Sequence, residues 1–100
     1  MGILSNIFGG GSNERVHALI VAGAVIIDVR SQEEFRGGHN KGAKNIPLQD
    51  IESQIKKIKA FDKPVVVCCA SGMRSGQAKG ILKRAGIEVE NAGSWRALEN

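Results

Sequence analysis

The segment Cys69-Ala70-Ser71-Gly72-Met73-Arg74-Ser75 joins the apolar run Pro64-Val65-Val66-Val67-Cys68 to a stretch with helical periodicity. That puts a thiol where a strand gives way to a helix. In a tight turn of this kind, loop N–H groups and the positive end of the following helix converge near the sulfur, and Arg74 adds a fixed charge. Such surroundings favour thiolate, the reactive form of cysteine, over thiol. Cys69 therefore reads as a nucleophile whose anionic adduct is held by the N–H groups of Ala70, Ser71, Gly72, Met73, Arg74 and Ser75. Gly72 lets the backbone bend close to the sulfur.

A cysteine that closes a buried strand is as often simply a small core residue. Side chains alternate along a strand, so Cys68 and Cys69 point to opposite sides and only one can face the loop. Cys69 borders Ser71-Gly72 and lies one loop from Arg74, which makes it the reactive candidate and Cys68 the core residue. A redox role for the pair is disfavoured, because adjacent cysteines on a strand are directed apart and the ring they would close is strained. A metal site built from the cysteines with His17 or His39 lacks ligand spacing.

The elements that position these residues follow from periodicity. Residues 1–12 end in Gly9-Gly10-Gly11-Ser12 and read as a flexible arm, with residues 13–100 as the domain. Ser12 or Asn13 can cap a helix in which Val16, Leu19 and Ile20 share a face, stopped by Gly23. Val25-Ile26-Ile27-Asp28-Val29 reads as a buried parallel strand with an acid at its carboxyl end. Ser31 with Glu34 forms a capping box for a short helical turn that Gly37-Gly38 ends. Asn45-Ile46-Pro47-Leu48 holds a brief strand if Pro47 falls at its end. Ile51, Ile55 and Ile58 stripe a helix over Gln49 to Lys59, and Val65 to Cys69 is the next strand. Ala78, Ile81, Leu82 and Ala85 mark a helix capped at Gly86, Ile87-Glu88-Val89-Glu90 alternates like a strand, and residues 94–98 close as a turn or short helix. The pattern predicts an α/β fold: a small, mainly parallel sheet of four to five strands with helices on both faces. Ligands in such sheets bind beyond the carboxyl ends of the strands, where Asp28 and Cys69 both fall.

One hundred residues make one domain, able to bury about two thirds of its unfolded surface. With 42% hydrophobic but only 4% aromatic residues, the core must be aliphatic. Two adjacent cysteines close no useful loop, which suits a reducing, cytoplasmic location. The first residues lack the basic lead of a signal peptide, and the longest apolar run is too short to cross a bilayer. The net charge of +4 suits a small anion or an acidic partner surface. Nucleic acid is not expected, since Lys56, Lys57 and Lys59 complement a helix end and no aromatics interleave with them.

In order and spacing, Asp28-Val29-Arg30, Glu34-Phe35, Gly38-His39, Gly42-Ala43, Asn45-Ile46-Pro47, and Cys69 with Gly72, Arg74 and Ser75 resemble a single-domain rhodanese. The resemblance covers about residue 16 to the end. It implies a rhodanese-like fold and a sulfurtransferase in which Cys69 takes a sulfane sulfur from a small anionic donor such as thiosulfate, or from a persulfide. Cys69 would become a persulfide and pass that sulfur to cyanide or to a thiol, including a protein thiol, with no metal or organic cofactor. Arg74 would close the loop, while Asp28, Arg30 and His39 brace the site without reacting. The related cysteine phosphatases place one more residue between cysteine and arginine, so a phosphatase is the less fitting enzyme. Asn40, Lys41 and Ala92-Gly93 depart from the family pattern, the leading strand is not evident, and the loop carries no charge except Arg74. A fold-retaining but catalytically silent binding module is the reading from a different class.

Overall fold

The computed structural model describes residues 11–98. Most of the expected arm, residues 1–10, lies outside that range, but its last two positions belong to a helix. Helix α1 runs Gly11–Val21, so Ser12 and Asn13 lie within the helix and not at its cap. Glycine and serine are accommodated at a helix start, which is why the boundary moves. Gly23, at φ 95°, turns the chain into β1, Val25–Asp28.

Four strands pair in the order β2-β1-β3-β4, where β2 is Lys44–Asn45, β3 is Val65–Cys69 and β4 is Val89–Ser94. Every pairing is parallel. The short helix α2, Gln32–Arg36, carries the anticipated capping box: Ser31 Oγ accepts the Glu34 N–H at 3.1 Å, and Glu34 Oε1 accepts the Ser31 N–H at 3.0 Å.

Each of the five residues of β3 is buried, because the strand is covered on both sides. Val66 points to one face, against Val16 and Leu19 of α1. Val65, Val67 and Cys69 point to the other, against Ile51, Ile58, Ala78 and Leu82. The last two lie on α4, Met73–Arg84. Each such aliphatic side chain contributes about 1.5–3 kcal/mol relative to exposure. By this alternation Cys68 and Cys69 face opposite sides of the sheet.

Three boundaries differ from the periodic reading. The helix expected from Gln49 to Lys59 is broken into 3-10 turns at Leu48–Asp50 and Glu52–Gln54 before α3, Ile55–Ala60. Ser53 Oγ donates back to the Asp50 carbonyl at 3.0 Å, a local bond that competes with regular winding. The apolar stripe survives, since Ile51 and Ile58 remain 0% and 1% exposed. Strand β4 begins two residues later than the alternation suggested and continues through Asn91-Ala92-Gly93-Ser94. Those residues have poor strand propensity, which pairing to the buried β3 overrides. Third, β2 stops at Asn45, before Ile46 and Pro47. Among the described residues no helix is long and apolar enough to cross a membrane.

Candidate active site

Strand β3 ends at Cys69, Ala70-Ser71-Gly72 make the turn, and α4 begins at Met73. Gly72 has φ 106°, and a Cβ there would stand 3.3 Å from Gly93 Cα. Only glycine meets both conditions without strain. That turn carries the Gly72 N–H back onto Cys69 Sγ at 3.0 Å. From the first turn of α4, Ser75 adds its N–H at 3.4 Å and its hydroxyl oxygen at 3.3 Å. The sulfur is covered, with Cys69 0% exposed, whereas Ala70 and Ser71 beside it are exposed.

Burial pushes the Cys69 thiol up. The Ser75 hydroxyl, the Ser75 and Gly72 N–H groups and the Ser71 backbone outweigh burial, and the net direction is down. Cys68, the residue before it on β3 and the register partner of Asp28 on β1, has no such donors. Burial, reinforced by the Asp28 carboxylate, pushes it up to about 12. Cys69 is thus the thiol disposed to ionise and Cys68 the inert one.

The cradle is narrower than the sequence suggested. Gly72 and Ser75 hydrogen bond to the sulfur and Ser71 adds a favourable backbone contribution, while Ala70, Met73 and Arg74 frame the turn. Met73 points out, 76% exposed. The Arg74 guanidinium is directed to Glu34 of α2, with Nη1–Oε1 at 2.7 Å and Nη2–Oε2 at 3.1 Å. Its charge is therefore shared with a carboxylate, while it still bears on the Cys69 sulfur through space.

Asp28 and Arg30 form a buried pair, 0% and 5% exposed, with guanidinium contacts of 2.8–3.1 Å. Arg30 also donates to the Gly38 carbonyl at 2.7 Å and lies 4.6 Å from the Trp95 ring centre. Asn45 bridges the Asp28 and Arg30 carbonyls through Nδ2, at 3.0 and 2.9 Å. His39 is exposed; its Nδ1 lies 2.7 Å from the Phe35 carbonyl and its ring stacks on Phe35 at 3.7 Å. Arg30, held by Asp28, thus joins Asn45 and His39 in tying neighbouring stretches of chain together. Beside them a cleft of about 460 Å³ opens between Arg30, Glu34 and Gly38 on one side and Ala70, Trp95 and Arg96 on the other.

Sequence reasoning missed Glu34 as the partner of Arg74, and it missed Asn91 altogether. Asn91 Oδ1 lies 2.7 Å from Ser75 Oγ, and its Nδ2 donates to the Gly72 carbonyl at 3.2 Å. A polar residue breaking the apolar alternation after Val89 was the available signal. Among the described residues, no three of His, Cys, Asp and Glu come together as metal ligands do.

A family model described as a rhodanese-like domain matches residues 12–99. The thiosulfate sulfurtransferase PspE of Escherichia coli is 44% identical over 74 residues, which are 72% of this chain and 71% of that protein. The uncharacterized protein YqhL of Bacillus subtilis is also 44% identical, over 69 residues, 68% of this chain but only 54% of YqhL. Among solved structures, a rhodanese with anions from E. coli superposes with a TM-score of 0.70 at 38% identity, covering 77% of this chain and 93% of that one. The human single domain sulfurtransferase TSTD1 superposes with a TM-score of 0.67 at 31% identity, covering 84% and 88% respectively.

Proposed function

The chain belongs to the rhodanese-like family, and we propose on that footing that it is a sulfurtransferase working through a persulfide on Cys69. The observation that carries the reading is the trio of donors on Cys69 Sγ from Gly72 and Ser75, which lowers the thiol against the opposing effect of burial. The Cys69 thiolate attacks the outer sulfur of a thiosulfate donor. A new S–S bond forms as the donor's own S–S bond breaks, and sulfite leaves with the bonding pair. The terminal sulfur carries the negative charge, and the Gly72 and Ser75 donors that stabilise thiolate also stabilise it. A nucleophilic acceptor, cyanide carbon or a thiolate, then takes that sulfur and returns Cys69 as thiolate. Atoms and charge balance with no external oxidant and no cofactor.

The cleft beside Ala70 is the approach route. Arg30 in the cleft and Arg74 beside it are each committed to a carboxylate, so these two offer a dianion less positive field than their residue types suggest. A protein or low-molecular-weight persulfide is therefore the favoured natural donor, and competing-donor kinetics test this preference. Two adjacent free cysteines suit a reducing, cytoplasmic setting.

Incubation with thiosulfate should add one sulfur atom to the protein mass, cyanide should remove it as thiocyanate, and Cys69→Ser should abolish both. Folded, reduced protein that fails to load sulfur from thiosulfate and from a persulfide donor alike would end this reading. An inert Cys69 with a stable protein partner would favour the silent binding module instead.

A further inference from the structure

Ser75 has one hydroxyl proton and two acceptors within reach, Asn91 Oδ1 at 2.7 Å and Cys69 Sγ at 3.3 Å. It cannot serve both at once. The orientation of the Asn91 amide follows from its neighbours. Oδ1 accepts the Gly93 N–H at 2.8 Å and Nδ2 donates to the Gly72 carbonyl at 3.2 Å, so a flipped amide would set donor against donor and acceptor against acceptor. Strand register explains why Asn91 sits there. Val67 pairs with Asn91 and Cys68 with Gly93, which leaves Ala92 as an extra residue. A bulge of this kind bends the strand locally, and here it turns the Gly93 N–H back onto the preceding asparagine.

We infer that Asn91 is a positioning residue for the chemistry of Cys69: it holds the Ser75 hydroxyl proton while the sulfur is protonated and releases it when the sulfur becomes anionic. In the thiol state Ser75 donates to Asn91, and its oxygen is free to accept the S–H. In the thiolate or persulfide state the hydroxyl rotates and donates to sulfur. Asn91 Oδ1 is not left empty, because the Gly93 N–H stays on it. No covalent bond changes, since the step is a rotation about the Ser75 Cβ–Oγ bond. The charged and titratable groups that bear on this sulfur are Arg74 of α4, tied to Glu34 of α2, and the neighbouring Cys68 on β3. None of them touches Asn91.

The inference rests on Cys69 being the nucleophile, and its test reads that thiol directly. Thiolate absorbance is titrated against pH in the intact chain and in Asn91→Ala, Ser75→Ala and the double variant. Removing the competing acceptor should leave the Ser75 proton to the sulfur and lower the Cys69 pKa by about one unit, the size of one hydrogen bond to a charged acceptor. In the Ser75→Ala background the same Asn91 change should shift nothing. Asn91→Leu, branched like asparagine and also without an acceptor, gives the same readout should Asn91→Ala fail to fold. No shift with Ser75 present, or an equal shift without it, would overturn the inference. Thiocyanate production is measured alongside in the unaltered chain; its absence counts against sulfur transfer and leaves the titration cycle readable.

Discussion

Arg74 and Glu34, 40 residues apart in sequence, meet in a two-pronged ion pair at 2.7 and 3.1 Å that ties the start of α4 to α2 across the cleft. Glu34 also closes the capping box on Ser31, so one carboxylate both starts a helix and holds the turn that follows Cys69.

The Arg74 guanidinium, with the Ser31 N–H, holds the Glu34 carboxyl at about 2. A carboxyl depressed in the folded state stabilises it above the unfolded value, and that contribution disappears as pH falls from about 4.5 to about 2. Both side chains are more than a third exposed, at 39% and 38%, so water screens the pair. Glu34→Gln should lose about 1 kcal/mol or less at neutral pH. Urea melts of the two proteins should converge near pH 2, and a gap that stays constant with pH would contradict the assignment.

The two cysteines should titrate far apart. Ultraviolet titration of the folded chain is expected to reveal one thiol ionising below the ordinary cysteine value and the other at about 12. Cys69→Ser should remove the first step alone. The raised Cys68 thiol also makes a stability prediction: its contribution is fully present below the unfolded thiol value and is lost as pH rises toward 12. In Cys68→Ala that alkaline loss should shrink.

Asp28→Ala would strand Arg30, 5% exposed, without its carboxylate. Removing one member of a buried pair costs about 3–5 kcal/mol, and chemical denaturation should register a loss of that order. A loss under about 1 kcal/mol would mean that the Gly38 carbonyl and the Trp95 ring suffice to hold the guanidinium.

Gly72→Ala should cost about 1–2 kcal/mol from the left-handed backbone alone, and the approach to Gly93 adds to it. Because the Gly72 N–H is the shortest of the contacts to Cys69 Sγ, sulfur transfer should slow in the fraction that folds. Unchanged turnover in Gly72→Ala would remove that N–H from the mechanism. His39→Ala, by contrast, should leave turnover intact, since His39 is held by Phe35 alone on the outer surface.

The amino-acid sequence by itself determined the elements whose causes are local. The capping box at Ser31 and Glu34, the stop at Gly23, the covered valine strand and the turn from Cys69 into α4 are set within a few residues of chain. Alternation along β3 likewise assigned different sides to Cys68 and Cys69 before any packing was considered. What tertiary structure alone decided are the pairings that span the chain: Arg74 with Glu34, Ser75 with Asn91, and Gly72 with Gly93. These depend on the strand order and on the extra residue in β4, and no local periodicity encodes either. The same dependence makes Arg74 a clasp between helices as well as a charge near the sulfur, because a guanidinium bonds strongly to a carboxylate that the fold brings near.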